Sequence, residues 1–571
     1  MSPPAPSSTT RSAVPTPTPT PEGYTPLPAM IRERAREAPA ATALVHGDAR
    51  MDYATLEARA DAIRAALTRD GVRRGERVAI VSANSIDFAC VFVGALNGAF
   101  VAAPLAPSST PDALIAMIED ADARVVFADA TSAQALVRAS GWPRLRESGR
   151  RFVRLGDDAA TSPALACFTR LDDWSHPTAD ATTTAAVDRE PSAAADASAA
   201  IEPSHPFNVI YSSGTTGTPK GIVQPHGMRF AQVQRARMNE YGPATISLLS
   251  TPLYSNTTLV VFFPTLALGG SVVLMEKFDA RRYLELAERH RITHTMLVPV
   301  QYQRLMAHPD FDRFDLSSTR QKFCTSAPFG AALKRQVLDR WPGALTELYG
   351  MTEGGGSCIL RADEFPDKLH TVGRPAPNND VRLIDESGVE VAPGEAGEVV
   401  GRSGAMMLGY HERPQASADA EWFDPEGRRY IRTGDIGRFD ADGFLTLFDR
   451  RKDMIITGGF NVYPSDIEAV VIGHDAVAEV AVVGVPSEQW GETPVAFVVL
   501  RHAADAAAAP SPDAQALRAW ANERLGKIQR LAQVCIVDEL PRSAIGKVLK
   551  RELRDGYAVS PGTAGTTPRQ D

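Results

Sequence analysis

Short apolar runs alternate with helical periodicity along the first third of the chain. From Tyr53 onward, apolar residues recur at the three- and four-residue spacing of one helix face: Leu56, Ala60, Ile63 and Leu67. The runs at 77–83, 100–106 and 124–129 are short and apolar, and a second helical segment begins at Asp112. Strands that alternate with helices build a mostly parallel sheet covered on both faces. The pattern predicts an α/β fold.

The same alternation resumes near residue 207, after a stretch rich in Ala, Thr, Asp, Ser and Pro. That stretch, 171–206, is typical of a surface connection. The later passage from Tyr241 to Met275 carries no charged residue. Prolines and a Gly-Gly pair interrupt it, whereas a membrane-spanning helix needs about 20 apolar residues in a row. The passage therefore predicts a buried strand, helix and strand.

A smaller unit begins after about Phe448. It contains a helical segment from Ser465, apolar runs at 478–485 and 493–501, a helical segment from Asp513, and a last run at 532–540. This pattern predicts a small α+β domain of about a hundred residues, a size that can fold independently. We expect a disordered tail at 1–26, a large domain at 27–449, the small domain at 450–556 and a second disordered tail at 557–571.

Composition and charge narrow the class of protein. The chain has 571 residues, of which 44% are hydrophobic and 23% charged, with a net charge of -9. A broad nucleic-acid-binding face needs excess positive charge, so we expect no nucleic-acid partner. The five cysteines are scattered and lack a CxxC spacing, which favours reduced thiols in a cytoplasmic protein. The N-terminal segment lacks the apolar core of a signal peptide.

A polar loop at 211–221, with the sequence YSSGTTGTPKG, follows an apolar run. Its glycines free the backbone, and its hydroxyls and single lysine offer donors that suit polyphosphate oxygens. It is not a Walker loop, because Pro219 stands where that motif requires glycine. On composition alone it fits an ordinary turn as well as a phosphate site. The candidate phosphate-binding residues are Ser212, Ser213, Gly214, Thr215, Thr216, Gly217 and Lys220.

The full string resembles the phosphate-binding signature of the adenylate-forming (AMP-binding) superfamily, in particular its acyl- and aryl-CoA synthetases. Four further strings resemble segments of that superfamily in the same order: ELYGMTEGGG (347–356), YIRTGDIGRFDADGF (430–444), DRRKDMIITGGFNVYPSDIE (449–468) and PRSAIGKVLKREL (541–553). The resemblance covers roughly residues 27 to 555.

The resemblance implies roles for residues of the large domain. Tyr349 would stack on adenine, Thr352 would contact phosphate, Glu353 would hold Mg²⁺, and Asp435 would bind both ribose hydroxyls. Arg450 would bind ribose or phosphate. The segment CTSAPFG (324–330) resembles the turn beside adenine, which makes Ser326 and Ala327 candidates, although Thr325 and Ser326 replace the family's glycines.

The resemblance also implies that the small C-terminal domain is mobile. By resemblance, Lys452 is the hinge residue, and Gly458 and Gly459 belong to a loop that enters the site for thiolation. Lys547 would be the lysine of adenylation. We interpret its neighbours Lys550 and Arg551 as solvated side chains.

The acyl site is expected near the segment TPLYSNTTLV. Its candidate residues are Tyr254, Ser255, Asn256, Gly350 and Met351. Ser255 stands where many CoA ligases have histidine, so a histidine role does not transfer. The glycines at 354–356 would leave room on one pocket wall, which favours a medium-sized or aromatic acid. Alternatively, the polar side chains at 255–257 only satisfy backbone groups.

The implied function is that of an ATP-dependent carboxylate–CoA ligase. It would form an acyl-AMP and pyrophosphate, then an acyl-CoA and AMP, with ATP, Mg²⁺ and coenzyme A as cofactors. Three alternatives stay open: a stand-alone adenylation enzyme that loads a carrier protein, a catalytically silent nucleotide-binding protein of the same fold, and a membrane-associated role that rests only on residues 241–275. The expected partner is a small carboxylic acid, with no membrane span and a homodimer as the expected assembly.

Overall fold

Three sheets build the first 450 residues, and a fourth builds the C-terminal part. The structure is a computed structural model that describes residues 21–156, 165–176, 201–212, 219–450, 453–457, 460–487, 489–501, 512–543 and 547–559. None of the helices in these ranges is long and apolar enough to cross a membrane.

The elements up to residue 212 alternate as the sequence predicts. Helices α2, α3 and α4 each begin behind a side-chain cap, supplied by Asp52, Ser85 and Thr110. The helices are α1 (Leu27–Glu37), α2 (Tyr53–Arg69), α3 (Ile86–Asn97), α4 (Pro111–Asp120), α5 (Ala130–Arg138), α6 (Trp142–Glu147) and α7 (Leu171–Ser175). The strands are β1 (Thr42–His46), β2 (Ala49–Asp52), β3 (Arg77–Val81), β4 (Val101–Leu105), β5 (Val125–Ala128), β6 (Arg151–Arg154), β7 (Thr169–Arg170) and β8 (Pro206–Ser212).

The elements from 219 to 450 complete the large domain. The helices are α8 (His226–Arg237), α9 (Asn256–Ala267), α10 (Ala280–Arg289), α11 (Pro299–Met306), α12 (Ala331–Arg340) and α13 (Pro414–Asp419). The strands are β9 (Lys220–Pro225), β10 (Ile246–Leu249), β11 (Ser271–Leu274), β12 (His294–Leu297), β13 (Gln321–Cys324), β14 (Ala344–Tyr349), β15 (Cys358–Arg361), β16 (Arg374–Pro375), β17 (Asp380–Ile384), β18 (Gly397–Arg402), β19 (Gly409–Tyr410), β20 (Glu421–Phe423), β21 (Arg429–Phe439) and β22 (Leu445–Arg450).

Two mostly parallel sheets dominate. One has nine strands in the order β16-β15-β14-β13-β12-β10-β11-β1-β2, and the other has eight in the order β19-β9-β8-β4-β3-β5-β6-β7. One hydrophobic core joins side chains of both sheets and of the apolar helices α3 and α9. Within it, the Phe263 ring lies 5.1 Å from the ring of Phe92 and 5.0 Å from that of Phe207. The predicted α/β fold is confirmed.

The third sheet, β17-β18-β21-β20 with β22 beside β21, is antiparallel throughout. The sequence analysis did not resolve it. The α+β unit that follows has the strand order β24-β23-β26-β25, with β27 beside β26. Its elements are β23 (Ile455–Thr457), β24 (Phe460–Val462), α14 (Pro464–Val471), β25 (Val477–Ser487), β26 (Gly491–Leu500), α15 (Ala514–Asn522), β27 (Gln533–Ile536) and α16 (Lys550–Val559).

The structure matches one predicted segment and shifts the boundaries of two others. The passage 241–275 is the strand, helix and strand β10, α9 and β11, as predicted. The connection expected from residue 171 begins instead as helix α7, because Leu171 and Trp174 are buried. Helix α16 continues to Val559, three residues past the predicted boundary at 556. Tail residues 1–20 and 560–571 lie outside the described ranges.

Candidate active site

Three groups of predicted site residues in the large domain follow the carboxyl ends of β10, β13 and β14. These strands are parallel members of the nine-stranded sheet. The segments after them, 250–256, 325–327 and 350–353, carry the candidate acyl, adenine and phosphate residues. Carboxyl ends of parallel strands share one sheet edge, which is where α/β folds bind ligands, so these segments lie along the edge where a ligand site is expected.

Tyr349, Asp435 and Arg450, which come from three separate sequence motifs, meet in the structure. The Tyr349 hydroxyl donates to Asp435 Oδ2 at 2.8 Å. Arg450 Nε lies 3.1 Å from Asp435 Oδ1, since β21 and β22 pair these two residues. Burial, and then the charge of Asp435, raises the pKa of Tyr349, so its hydroxyl stays a donor. Each carboxylate oxygen keeps a second lone pair, with which it can accept a hydroxyl of a ligand.

The candidate phosphate loop joins β8 and β9, an antiparallel pair that places Ser212 opposite Lys220. Two side chains outside the motif, those of Asp120 and Arg413, hold the start of this loop in place. Asp120 accepts from the Tyr211 hydroxyl at 2.7 Å and pairs with Arg413 at 2.7 Å. The side chain of Ser212 lies outside the described part of the chain, as do residues 213–218: Ser213, Gly214, Thr215, Thr216, Gly217 and Thr218.

Tyr410 links the end of this loop to Glu353. Its hydroxyl donates to Glu353 Oε1 at 2.8 Å, and the Lys220 ammonium lies 5.3 Å from its ring centre. The short strand β19 pairs with β9 and so carries Tyr410 to the site. Burial, and then the charge of Glu353, raises the pKa of Tyr410. Sequence analysis missed Tyr410, because a two-residue strand outside every motif has no recognisable pattern.

A buried polar network ties Thr352 to Asn256. Gln224 Nε2 donates to the Thr352 carbonyl oxygen at 2.6 Å and to Asn256 Oδ1 at 3.2 Å. Arg229 Nη1 donates to the same Asn256 oxygen at 2.9 Å. The other hydrogen bonds of Arg229 are accepted by the side-chain amides of Asn208, Gln224 and Gln232.

Arg229 is only 1% exposed, and within the described ranges none of its hydrogen-bond acceptors is a carboxylate. Burial lowers its pKa to about 9. A buried cation is costly unless its donors are satisfied. This network therefore holds the Asn256 amide and the Thr352 backbone at a fixed separation. Sequence analysis did not select Arg229, since a single arginine on a helix usually lies on the surface.

The segment after β13 carries an unusual backbone conformation. Ser326 has φ of 80°, a left-handed conformation that costs a non-glycine residue roughly 1–2 kcal/mol. Its hydroxyl lies 2.7 Å from that of Thr257, and the Thr325 hydroxyl donates to the Leu348 carbonyl at 2.7 Å. These contacts hold the turn in that conformation. Ala327 follows, partly exposed.

The candidate acyl residues divide by role. Ser255 caps α9 by accepting from the Thr257 backbone N–H at 3.3 Å, so its hydroxyl serves the helix. Tyr254 is partly buried, and burial raises its pKa. Met351 packs in an apolar cluster, and Gly350 is exposed.

The glycines at 354–356 do not widen a pocket. A Cβ on Gly354 would lie 1.9 Å from the Ala405 carbonyl oxygen, and one on Gly355 would lie 2.8 Å from that of Gly401. A Cβ on Gly356 would lie 2.9 Å from the Gly401 Cα. The prediction that they leave room for substrate is wrong, because they let the loop pack directly against the backbone of residues 401–405.

Lys547 lies in the C-terminal part of the chain, where Ser543 contacts its backbone. The Ser543 N–H donates to the Lys547 carbonyl at 2.8 Å, and the Lys547 N–H donates to Ser543 Oγ at 3.2 Å. The prediction that Lys550 is solvated is wrong, since its ammonium pairs with Glu468 at 2.9 Å. Arg551 is exposed, as predicted.

The remaining predicted residues of the small domain, Lys452, Gly458 and Gly459, lie outside the described ranges. Phe460, directly after the two glycines, is 60% exposed. Their roles, and that of Lys547, stay predictions.

The structure has a large α/β domain, whose candidate site lies at the carboxyl edge of its nine-stranded sheet, and a smaller C-terminal α+β unit. Comparison with known proteins gives the class directly. The profile of the AMP-binding enzyme family matches residues 31–411, and that of the AMP-binding enzyme C-terminal domain matches residues 466–547. The chain belongs to the AMP-binding enzyme family, which confirms the resemblance drawn from its motifs.

Several of its relatives are CoA ligases. A feruloyl-CoA synthase from Amycolatopsis is 33% identical over 91% of this chain and 97% of its own length. A long-chain-fatty-acid–CoA ligase from Mycobacterium tuberculosis is 32% identical over 93% of this chain and 98% of its own. Among solved structures, ATP-bound MatB from Rhodopseudomonas palustris is 27% identical, with a TM-score of 0.78 over 93% of this chain and 99% of that one.

Proposed function

We propose that the protein is an ATP-dependent, AMP-forming carboxylate–CoA ligase. In the first step a substrate carboxylate oxygen bonds to the α-phosphorus of ATP and pyrophosphate leaves. In the second step the thiol of coenzyme A attacks the acyl carbon, loses its proton, and displaces AMP. The observation that carries the proposal is the meeting of Tyr349, Asp435 and Arg450 beside the 350–353 loop, in a chain whose relatives are CoA ligases.

The nucleoside would bind at the Tyr349–Asp435–Arg450 cluster. Asp435 is positioned by two partners, so its free lone pairs can accept ribose hydroxyls without reorganisation. Ser326 and Ala327 would line the adenine from the β13 edge. Asp435→Asn would weaken ATP binding, because an amide accepts at only one of its two positions.

The phosphates of ATP would bind on the other side of the 350–353 loop. Lys220 and the 212–217 hydroxyls would hold the outer phosphates, while Thr352 and Lys547 would stabilise the charge that develops at the α-phosphate. The donor set fits Mg²⁺, since a single carboxylate, Glu353, is positioned by Tyr410 and Mg²⁺ is usually bound by one or two carboxylates together with substrate phosphates. Mg²⁺, when bound, neutralises phosphate charge that repels the incoming carboxylate.

The two steps would use different placements of the small domain. Lys547 serves adenylation, so it must leave before a thiol can approach. We assign the hinge to Lys452 and the thiolation loop to Gly458 and Gly459, since a few residues at a domain boundary absorb such rotations. The free cysteines support a reducing, cytoplasmic location. A homodimer stays a prediction that analytical ultracentrifugation tests.

A panel of carboxylic acids tests the proposal. Purified protein, ATP, Mg²⁺ and coenzyme A are incubated with fatty, aromatic and dicarboxylic acids, and pyrophosphate, AMP and thioester are quantified. At least one acid should give all three products in equal amounts. Failure of every acid to give pyrophosphate would favour the silent nucleotide-binding alternative, and acyl transfer only to a carrier protein would favour the carrier-loading one.

A further inference from the structure

A short segment, residues 405–411, joins Glu353 to the candidate phosphate loop. Near its start, the Met407 N–H donates to the Glu353 carbonyl oxygen at 2.8 Å. At its end, the His411 N–H donates to the Gly221 carbonyl oxygen at 2.7 Å. The backbone of Glu353 and the last residue of the phosphate loop are therefore held by the same stretch of chain.

Tyr410, in this segment, contacts two charges of opposite sign. Its hydroxyl donates to Glu353 Oε1 at 2.8 Å, and the Lys220 ammonium lies 5.3 Å from its ring centre. Its own backbone is fixed, because the Tyr410 N–H donates to Ser417 Oγ at 2.9 Å and the pairing of β19 with β9 places Tyr410 opposite Ile222. The hydroxyl thus meets the carboxylate from a rigid support.

This hydrogen bond makes the two carboxylate oxygens of Glu353 unequal. Oε1 accepts the tyrosine proton, whereas Oε2 has no hydrogen-bond partner within the ranges that the structure describes. The Glu353 side chain is partly exposed. A cation that takes both oxygens has to compete with the Tyr410 hydroxyl at Oε1, and a cation that takes one oxygen does not.

Mg²⁺ and Ca²⁺ differ in the carboxylate oxygens that they use. Mg²⁺ demands near-ideal octahedral geometry, keeps several waters, and is bound through one or two carboxylates together with substrate phosphates. Ca²⁺ takes more oxygens in a flexible geometry and often binds both oxygens of one carboxylate. A hydrogen bond to a ligating carboxylate orients it and tunes the metal site. A carboxylate with one oxygen occupied by a tyrosine therefore favours Mg²⁺.

We infer that Tyr410 is a positioning residue that makes the nucleotide site select Mg²⁺ over Ca²⁺, because it restricts Glu353 to one coordinating oxygen. The inference rests on the proposed function, since it takes Glu353 to be the carboxylate that holds the cation beside the phosphates of ATP. Loss of the hydroxyl would free Oε1, which offers Ca²⁺ a second oxygen. It would also let the carboxylate rotate away from the orientation that suits Mg²⁺.

Three substitutions isolate this hydroxyl. Tyr410→Phe removes it and keeps both the ring beside Lys220 and the backbone pairing with β9. Tyr283→Phe is the matched control, because that hydroxyl also makes a buried hydrogen bond, to Thr295 Oγ1 at 2.6 Å, on α10 and outside the candidate site. Glu353→Gln, alone and combined with Tyr410→Phe, shows whether the hydroxyl acts through Glu353.

The measurement is binding and needs no turnover. An ATP analogue with a methylene group between the α- and β-phosphorus atoms cannot release pyrophosphate. Each protein is titrated with it in a calorimeter, with either Mg²⁺ or Ca²⁺ at a concentration that saturates the analogue. The readout is the ratio of the Kd of the Ca²⁺ complex to that of the Mg²⁺ complex. A general loss of stability would affect both complexes alike.

We expect the wild type and Tyr283→Phe to bind the Mg²⁺ complex more tightly than the Ca²⁺ complex. Tyr410→Phe should lower the ratio by about fivefold, the scale of one hydrogen bond. The same substitution should leave the ratio unchanged in the Glu353→Gln background, because the hydroxyl then has no carboxylate to restrict.

Equal affinity of the wild type for both complexes would overturn the inference while leaving the ligase function intact. An unchanged ratio in Tyr410→Phe, or an equal fall in the Glu353→Gln background, would overturn it in the same way. Mg²⁺ selectivity that is lost in Tyr410→Phe, together with no pyrophosphate from any acid of the panel, would instead reject the ligase function and keep the role of Tyr410.

Discussion

Burial has changed the acid–base behaviour of His226, the first residue of α8. It is 2% exposed, its ring lies edge-on to Phe207 at 4.9 Å, and neither ring nitrogen has a partner within the described ranges. Burial, and then the charges of His205, Arg74 and Arg229, lower its pKa to about 3. The folded state thus binds fewer protons than the unfolded state between the two pKa values. The contribution of His226 to the free energy of unfolding is therefore fully present above about pH 6.5 and is lost as the pH falls from there towards 3.

His226→Phe tests this dependence. At pH 5 the wild-type protein should lose about 2 kcal/mol of unfolding free energy through this one group. The variant keeps the ring packing and removes the titration, so its melting temperature should fall less between pH 7 and pH 5 than that of wild type. His370→Gln, at an exposed position, is the control. An equal fall in melting temperature for wild type and His226→Phe between pH 7 and pH 5 would refute the effect.

Single residues differ in how far sequence predicts them. Tyr349, Asp435 and Arg450 lie in motifs, and the structure brings them together. Tyr410 and Asp120 reach the site only through strand pairing and long-range contacts, which leave no local pattern. Ser255 shows the reverse case, since it lies in a candidate acyl segment but caps a helix.

At the scale of elements, α8 carries the network that fixes the floor of the site. Arg229→Met would leave several buried amide oxygens without a donor, and each such group costs about 1–3 kcal/mol. We expect a fall of roughly 3 kcal/mol in unfolding free energy. Because Asn256 loses its anchor, we also expect a higher KM for the acid with a smaller effect on the KM for ATP.

Urea unfolding and adenylation kinetics measure both effects. Arg237→Met, on the exposed face of the same helix, should match wild type in each. A stable Arg229→Met protein with unchanged acid KM would show that the network does not position Asn256.

Strong periodicity predicted whole elements well. Helix α2 and the strand, helix and strand of β10, α9 and β11 match the sequence pattern. The third sheet was missed because its strands are antiparallel, partly exposed and rich in charge, as in β21 with the sequence RYIRTGDIGRF. The glycines at 354–356 were misinterpreted, since only the fold reveals the backbone that packs against them.

At the scale of the whole molecule, the proposed function has one chain carry out two reactions. The large domain carries the nucleotide cluster and the Glu353–Tyr410 pair on either side of the 350–353 loop. The proposed lysine of adenylation, Lys547, belongs to the other domain, nearly two hundred residues after Thr352. Domain rotation would then separate the steps, and Lys547 would matter to only one of them.

The most direct test measures the two half-reactions separately in Lys547→Ala. Pyrophosphate formation from acid and ATP reports the first step, and thioester formation from supplied acyl-adenylate and coenzyme A reports the second. Arg551→Ala, an exposed change in the same segment, is the control. We predict a loss on the order of 10²–10³ in the first step, with the second step within twofold of wild type. Equal losses in both half-reactions, or none in the first, would contradict the account.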